Sequence, residues 1–424
     1  MKKTARKGPK STAPTTGALL PLLHAIVRRD LREFVVDAGM TALADVLEQE
    51  RAAACGPRYA HQPERHAFRA GHATGELVLG GRRVQAKRPR ARTVDGEEVT
   101  LPSWRAFSSE DPLHERALEQ ALVGVSTRRY ARSLEDVPAG VRTRGVSRSA
   151  VSRRFVSATE QQMAKWLGRD LSEIDLVVLM VDGVYVDDHV ILAALGIDAE
   201  GKKHVLGVRE GATENSTACT ALLGDLRERG MRTDQTTLAV LDGSKALAKS
   251  VREVFGGRAQ IQRCQAHKAR NVLDQLPEDL RPSVREALRQ AYGSGDAVRA
   301  KRLLGNLARR LRDDHPSAAA SLDEGLDETL TVMRLRLPRA LERTLCTTNA
   351  VENLIGSVRG LGRRVKRWRD GRMIVRWTVA AVVDAATRFR RVRGATEGGM
   401  LKLVLALRGY DATNSALEPK VNQA

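Results

Sequence analysis

LVVLMVDG, residues 176–183, is the stretch that decides the fold, because six apolar residues in a row lead directly into Asp182 and Gly183. Six residues are too few for a helix but enough for a strand that is buried on both faces. A second β-rich run, TTLAVLDGSKAL at 236–247, is broken at Asp242, and the KALAKSVREVF that follows has the apolar spacing of an amphipathic helix. The sequence therefore predicts two buried strands that each end at an aspartate.

A third carboxylate lies in TTNAVENLIGSVR, residues 347–359, where Thr348 or Asn349 can cap a helix with Glu352 in its first turn. Acids at the rims of secondary structure elements suit two-metal phosphoryl transfer, because two divalent cations need several carboxylate oxygens at one point. Each acid also has an ordinary structural explanation. An Asp before Gly is usually a turn residue, and Asn349 with Glu352 resembles a capping box. The three acids together, in this order, favour the catalytic interpretation.

Three longer motifs give these acids a context. LDGSKAL at 241–247, RCQAHKARNVLDQLP at 263–277 and TTNAVENLIGSVR follow VLMVDG in that order. Together they resemble the catalytic domain of Mutator-type transposases, in the bacterial insertion-sequence branch, over residues 124–394. The resemblance implies an α/β chain with a ribonuclease-H-like catalytic domain, an all-helical insertion and an Asp-Asp-Glu site at Asp182, Asp242 and Glu352. It also implies Mg²⁺ as the cofactor, for which Mn²⁺ can substitute.

The chain between the acids favours the same fold class. Residues 184–211 read as two strands joined by a turn at 199–202, which form an antiparallel meander with the first strand. A helix at 214–230, the strand that ends at Asp242, its following helix and a strand at 259–264 complete the order of a ribonuclease-H-like domain. Residues 272–337 show only helical patterns, broken at Gly293 and Pro316, and we interpret them as an insertion before the third acid.

Cys264 and His267 form the C-x-x-H pair of the family that the chain resembles. A structural zinc needs four protein ligands, and no second pair is close in the sequence. We therefore predict that Cys264 packs and that His267 lies near the scissile phosphate as a hydrogen-bond donor or proton carrier; a merely structural histidine is the alternative. Glu342 is rejected as the third ligand because it lacks the Thr-Thr-Asn cap that precedes Glu352.

Two near-repeats, GVSTRRYARSLEDV at 124–137 and GVSRSAVSRRFVSAT at 145–159, indicate DNA binding. A short helix, a turn at Gly145 and a second helix from Ser147 fit a helix-turn-helix, whose second helix enters the major groove. Any Ser-capped basic helix has a similar pattern. The family resemblance favours the motif and implies that it recognises terminal inverted repeats. The residues predicted to face DNA are Arg148, Ser149, Ser152, Arg153 and Arg154.

Other basic segments are predicted to contact DNA, with a solvated surface as the alternative. Residues 75–104 alternate and contain Gly-Gly and Asp-Gly turns, which predicts a β-ribbon. Residues 356–377 surround a tryptophan with arginines and lysines, which can grip phosphates and stack on an exposed base. The predicted contacts in these segments and beside the second aspartate are Arg82, Arg83, Lys87, Arg88, Lys245, Arg359, Arg363, Arg364, Lys366, Arg367 and Trp368.

The composition suits a nucleic-acid enzyme. The 424 residues include 71 Lys and Arg against 51 Asp and Glu, a net charge of +20, which attracts polyanions through phosphate contacts. The four scattered cysteines argue against a disulfide framework and for a reducing cytosol. No apolar run reaches the roughly 18 residues of a membrane span, and no signal-peptide pattern is present. We therefore expect a cytoplasmic, nucleoid-associated protein that makes no use of a membrane.

The patterns divide the chain into seven segments. They are a disordered basic tail at 1–17, an N-terminal helical and β-hairpin domain at 18–108, a helix-turn-helix DNA-binding region at 109–170, the first part of the catalytic core at 171–271, the helical insertion at 272–340, the second part of the core at 341–395 and a C-terminal tail at 396–424.

The predicted reaction is the attack of a metal-activated hydroxyl on a DNA phosphodiester. Water is the nucleophile for cleavage, and the freed 3′-hydroxyl is the nucleophile for joining to target DNA. The predicted partners are double-stranded DNA, as transposon ends and target, and a second copy of the chain, because two ends must be brought together. The alternatives are a metal-dependent nuclease or resolvase, which cleaves without joining, and a non-catalytic DNA-binding regulator. No glycine-rich phosphate loop or nucleophile elbow favours a small-molecule enzyme.

Overall fold

The structure is a computed structural model that describes residues 16–59, 66–109, 111–137, 140–211, 216–363, 365–396 and 398–415. Residues 1–15 of the predicted basic tail and residues 416–424 of the predicted C-terminal tail lie outside this part. The chain forms two compact units, of which the first ends at Ala158 and the second begins at Thr159.

The first unit combines a long helix with a three-stranded antiparallel sheet. Gly80 and Gly81 join the two long strands with φ of +57° and +76°, a left-handed conformation that a tight hairpin turn requires and that glycine adopts readily. The predicted hairpin is therefore present. The elements are α1 (Thr16–Cys55), β1 (Ala67–Leu79), β2 (Arg82–Thr93), α2 (Pro102–Ser108), α3 (Asp111–Leu122) and β3 (Thr143–Arg144). The helix α4 (Arg148–Leu167) begins in the first unit and ends in the second.

The predicted helix immediately before Gly145 is absent among the residues that the structure describes. A short 3-10 turn covers Tyr130–Ser133, and the chain then enters β3, which pairs with the edge of β2. The backbone of β3 is extended because β2 offers it hydrogen-bond partners, which a local helical pattern does not reveal. The second predicted helix is present as α4.

The second unit is built on a mixed five-stranded sheet in the order β6-β5-β4-β7-β8. The first three strands in sequence form the predicted antiparallel meander, and β7 and β8 add to β4 in parallel. The strands are β4 (Leu176–Val186), β5 (His189–Asp198), β6 (Lys203–Gly211), β7 (Thr237–Leu241) and β8 (Ala259–Arg263). This mixed α/β architecture agrees with the predicted α/β class.

The sequence pattern suggests that β4 ends at Asp182, but the strand is longer. The strand continues through Asp182 to Val186 because β5 remains paired with it along this length. Its parallel pairing with β7 does end there, at the pair of Val181 with Leu241. Asp182 therefore lies inside an antiparallel hairpin and, at the same time, just beyond the last parallel pair.

Helices cover both faces of this sheet. α5 (Ser216–Glu228) and α6 (Lys245–Phe255) pack with one face in an apolar cluster that includes Leu179, Leu192 and Leu222. α13 (Asn349–Gly362) packs on β4 and β5, and α14 (Gly371–Ala386) packs on β6 and on α13. The last described helix is α15 (Gly399–Ser415).

The segment between β8 and α13 is helical, as predicted, and has an apolar core of its own. Buried residues from successive helices, such as Leu288, Leu304 and Leu322, form one cluster. Gly293 ends one helix and Pro316 begins another, as the sequence indicates. The helices are α7 (Gln265–Asp274), α8 (Arg281–Tyr292), α9 (Ala297–Leu311), α10 (Pro316–Asp323), α11 (Thr331–Arg334) and α12 (Arg339–Leu345). Among the described residues, no helix combines the length and apolar character that crossing a membrane requires.

Candidate active site

Asp182 and Asp242 lie at the same edge of the five-stranded sheet. β4 and β7 are neighbours whose parallel pairing ends one residue before each aspartate. Adjacent strands are about 4.8 Å apart, so the two carboxylates occupy neighbouring positions. Backbone amides orient both of them: Gly183 N–H donates to Asp182 Oδ1 at 2.8 Å, and Ser244 N–H donates to Asp242 Oδ1 at 2.8 Å.

Glu352 is supplied by α13, which packs against β4. It lies in the first turn of the helix, after Thr348 as the N-cap residue. The Thr348 hydroxyl forms no capping bond and donates instead to Glu352 Oε1 at 2.5 Å. Asn349 already belongs to the helix, so a capping box of Asn349 with Glu352 does not explain the position of this acid.

Cys264 and His267 connect the end of β8 to the start of α13. Cys264 is buried, and its Sγ accepts a hydrogen bond from Thr348 N–H at 3.5 Å. Burial opposes ionisation of the thiol, but hydrogen bonds with His267 and Thr348 outweigh it and lower the pKa of Cys264. His267 Nδ1 lies 3.3 Å from Thr348 Oγ1 and 3.7 Å from Glu352 Oε1. The imidazole is therefore a neighbour of the third acid.

Burial and nearby charges shift the pKa values in this cluster. Burial is the main cause that raises the pKa of Asp182 to about 6, and the carboxylates of Asp242 and Glu352 raise it further, against a backbone N–H and His267. A hydrogen bond with Cys264 is the main cause that raises the pKa of His267, and the two carboxylates Glu352 and Asp242 contribute. Such mutual effects occur between charges a few ångströms apart. The site thus concentrates negative charge beside one protonatable imidazole.

Among the described residues, one group of possible metal ligands has its ligand atoms close together. Cys264, His267 and Glu352 each offer one ligand atom, and these atoms lie within 4.8 Å of one another. Thiolate and imidazole suit zinc and softer cations, whereas Mg²⁺ takes oxygen ligands. A structural zinc also takes four protein ligands. Asp182, Asp242 and Glu352 offer only oxygen atoms as ligands, the type that a hard divalent cation takes.

Other acids near these elements are either paired with another side chain or exposed. Glu342 is buried in α12 and pairs with Arg339 at 3.1 Å, and its burial raises its pKa. Glu210 Oε1 forms a hydrogen bond with His189 Nδ1 at 2.6 Å. The acids of the β4–β5 turn, Asp187 and its neighbour, are exposed.

Most of the residues predicted to face DNA on α4 lie on its surface. Arg154 is the exception, because its half-buried guanidinium donates to the Gly145 carbonyl and closes the turn before the helix. The exposed residues are Arg148, Ser149, Ser152 and Arg153.

The β-ribbon presents fewer free cations than the sequence predicts. Arg82 is buried and its guanidinium donates to the Glu135 carbonyl, so the expectation that Arg82 contacts DNA is not met. Because Arg82 points inward from β2, its guanidinium forms its hydrogen bond inside the protein. Arg83 and Arg88 pair with acids of the same ribbon, at 3.8 Å and 2.9 Å, and Lys87 is exposed.

The basic segment after the third acid is largely exposed. Trp368 is half-buried and packs edge-to-face on Trp377, with 6.4 Å between the ring centroids. Lys245, beside the second aspartate, is 87% exposed and lies 3.4 Å from Glu324. Arg364 lies outside the described residues. The exposed cations of the segment are Arg359, Arg363, Lys366 and Arg367.

The sequence patterns do not predict two features. Thr348 orients Glu352 and touches the C-x-x-H pair, although the sequence indicates only a cap. A pocket of about 610 Å³, here called the basic pocket, has four cations and no acid in its described lining. No local pattern groups these cations, because β6, α12 and the segment before α15 supply them. They are Lys203, Arg343, Arg391 and Arg393.

Comparison with known proteins gives consistent relatives. A family model described as "Transposase, Mutator family" matches residues 15–392. The transposase for insertion sequence element IS6120 of Mycolicibacterium smegmatis is 31% identical over 256 residues, which are 58% of this chain and 77% of the relative. The transposase for ISRM5 of Rhizobium meliloti is 29% identical over 75% of this chain and 79% of its own length. The transposase for IS256 in transposon Tn4001 of Staphylococcus aureus is 27% identical, over 71% and 76%.

Proposed function

The chain belongs to the Mutator family of transposases, and on that premise we propose that it is the DNA transposase of a bacterial insertion sequence, with Asp182, Asp242 and Glu352 as its catalytic acids. One observation carries the assignment of the site. The carboxylates of Asp242, after β7, and of Glu352, on α13, both raise the pKa of Asp182 on β4, although 110 residues separate Asp242 from Glu352 in the chain. Three ionisable acids placed together are costly unless a cation or substrate uses them.

The cofactor that fits this donor set is Mg²⁺, with Mn²⁺ as a substitute. The pKa of Asp182 is raised partly by the two other carboxylates, and a divalent cation bound by oxygens relieves that repulsion. When bound, such cations activate the attacking hydroxyl and stabilise the leaving oxygen of a phosphodiester. Asp182 and Asp242 would hold them from the strand side, and Glu352 would hold them from the helix side.

The side chains around the acids prepare the reaction. Thr348 holds the Glu352 carboxylate through its hydroxyl, which removes rotational freedom that the acid would otherwise lose on binding. The pKa of His267 is raised by its hydrogen bond with Cys264 and by nearby carboxylates. This shift favours the protonated imidazole, which can donate a hydrogen bond to a phosphate oxygen or a proton to the leaving 3′-oxygen. Water attacks for cleavage, and the freed 3′-hydroxyl attacks for joining.

The wider architecture is consistent with this chemistry. An antiparallel meander followed by two parallel strands, with helices on both faces, supports assignment of the core to the ribonuclease-H-like class. Within it, residues 272–340 would be the insertion that separates the C-x-x-H pair from the third acid. Exposed cations at the start of α4 support a DNA-reading helix that recognises the terminal inverted repeats, with β3 in place of the first helix of a helix-turn-helix.

Partners follow from the same proposal. Double-stranded DNA supplies the transposon ends and the target, and the net charge of +20 favours phosphate binding. Two ends must be held at once, so we propose a homodimer as the acting species. The seven segments predicted from the sequence would divide the labour among end recognition, catalysis and insertion, in a protein that acts at the nucleoid.

The test is a strand-cleavage and strand-transfer assay with Mg²⁺ on three single variants, Asp182→Ala, Asp242→Ala and Glu352→Ala, with DNA binding measured in parallel. We expect each variant to bind DNA and to lose both cleavage and joining by at least about 100-fold. Asp188→Ala is the control, because Asp188 is exposed in the β4–β5 turn, and it should retain activity. A variant of the three that turns over at the normal rate removes that residue from the site.

A further inference from the structure

A small aromatic pocket lies next to the acidic site within the second unit. It has a volume of about 250 Å³, and its walls come from the end of β4, the last turns of α13, the segment after α13 and the start of α14. Tyr185, Trp368 and Trp377 are the aromatic members, and Val358 with Leu361 gives an apolar floor. None of these side chains has a part in the chemistry proposed above.

The shape of the pocket suits a flat aromatic ligand. The rings of Trp368 and Trp377 meet edge-to-face at 89°, so they form two walls at right angles. Tyr185 is 70% exposed, so its ring is accessible to solvent. The volume is below the range of about 300–1,000 Å³ for sites that take drug-sized molecules, so there is space for one ring system and not for a base pair.

The rim of the pocket carries positive charge. Arg359 lies in the last turn of α13, and Arg363 is the C-cap residue four positions later, which places them on one side of the helix end. Both are exposed, and neither has an ion-pair partner among the residues that the structure describes. Asp187 is the one acid in the described lining. An aromatic slot bordered by two free guanidinium groups matches a base that remains attached to a phosphate backbone.

The distance between the three acids and the pocket determines which base of the DNA strand can enter the pocket. Tyr185 is three residues beyond Asp182 on β4, and three residues of strand span about 10 Å. Arg359 is seven residues beyond Glu352 on α13, again about 10 Å along the helix axis. A DNA strand advances about 3.4 Å per nucleotide. A base about three nucleotides from a phosphate held at the acids would therefore lie at the mouth of the pocket.

We propose that this pocket binds a single unstacked nucleobase of the DNA strand, extruded from the duplex near the cleavage site, while Arg359 and Arg363 hold the phosphates on either side of it. The inference rests on the proposed function, because it assumes that the scissile phosphate lies at the three acids. The ring of the base stacks on Trp368, and Tyr185 lies at the rim of the pocket. The pocket thereby opens the duplex beside the bond to be cut.

The experiment measures the affinity of the full chain for two short duplexes of one sequence, one fully paired and one with a single bulged 2-aminopurine. Stacking on one aromatic ring changes affinity by about 5- to 150-fold, so we expect the bulged duplex to bind about tenfold more tightly. We also expect 2-aminopurine fluorescence to fall on binding, because the base stacks on tryptophan. Trp368→Ala should reduce the preference to below about twofold, and Trp368→Phe should retain most of it.

Two further variants separate the pocket from folding and from charge. Tyr185→Ala removes a side chain that is 70% exposed and should lower the preference without changing thermal stability. Arg369→Ala removes an exposed cation outside the pocket lining and should weaken both duplexes equally. Equal affinity of the unaltered protein for the two duplexes, or a full preference in both Trp368→Ala and Tyr185→Ala, overturns the pocket but leaves the transposase assignment intact. Failure to bind either duplex contradicts the proposed function itself.

Discussion

Replacing Asp182 with Asn should stabilise the metal-free protein while it abolishes catalysis. The folded protein raises the pKa of Asp182 from 3.8 to about 6 through burial and the carboxylates of Asp242 and Glu352. A shift of about two units corresponds to about 3 kcal/mol, and partial exposure of the side chain reduces this by solvent screening. Asn keeps the acceptor for Gly183 N–H and removes the charge. We therefore expect a gain of about 1–3 kcal/mol in the free energy of unfolding at neutral pH.

The sign of the effect determines its pH dependence. The folded state of the unaltered protein binds the extra proton more strongly, so its stability falls as pH rises from the unfolded pKa of 3.8 to the folded pKa of about 6. The destabilisation is complete above that window and absent below it. The advantage of Asp182→Asn should consequently disappear at pH values below about 4.

The assay is urea unfolding at neutral pH, once with a chelator and once with Mg²⁺. At ten times its Kd, Mg²⁺ should stabilise the unaltered protein by about 1.4 kcal/mol and Asp182→Asn by much less. Asp188→Asn, an exposed neighbour in the β4–β5 turn, should match the unaltered protein under both conditions. If Asp182→Asn is the less stable protein in chelator, or if Mg²⁺ stabilises both equally, the clustered-acid explanation is wrong.

Three other changes test separate parts of the structure. Thr348→Val deletes the 2.5 Å bond to Glu352 and should lower the cleavage rate about tenfold or more with DNA affinity unchanged, whereas Thr348→Ser should be nearly normal. Arg343→Ala combined with Arg393→Ala, in the acid-free basic pocket, should weaken DNA binding and reduce the slope of log affinity against log salt by up to about 2, and an unchanged slope would exclude phosphate contacts there. Leu192→Ala opens a cavity beneath the central strands and should cost about 2–5 kcal/mol in urea unfolding; a cost below about 1 kcal/mol would contradict close packing at that position.

The sequence predicts well those elements whose signals are local. The apolar run before Asp182 and the glycines of the first hairpin determine the backbone conformation of only a few neighbouring residues. The length of β4 is mispredicted because it is set by pairing with β5. For the same reason the strand β3 replaces an expected helix, since its partner β2 lies some sixty residues earlier in the chain.

Site residues are predictable by type but not by orientation. A basic stripe in sequence becomes two different surfaces in the ribbon, because alternate residues of a strand point to opposite faces. The Arg82 guanidinium therefore donates a hydrogen bond to the Glu135 carbonyl, whereas Lys87 is exposed. The basic pocket shows the reverse case. Its cations form no pattern in the sequence and lie together only because β6 and α12 are neighbours in the fold.

The position of Glu352, the third acid, is determined by a junction at the end of β8 rather than by the sheet edge where the two aspartates lie. Cys264 N–H donates to the Leu241 carbonyl at 2.7 Å, one residue before Asp242, and Gln265 N–H donates to the Cys346 carbonyl at 2.9 Å. The end of β8 is thus bonded on one side to the strand of the second acid and on the other to the turn that begins α13. Because the helices between these two points have their own apolar core, they can be held at the junction as a unit. The C-x-x-H pair therefore lies at the junction that positions Glu352. This structural role explains why the pair is found there, whether or not His267 also transfers a proton.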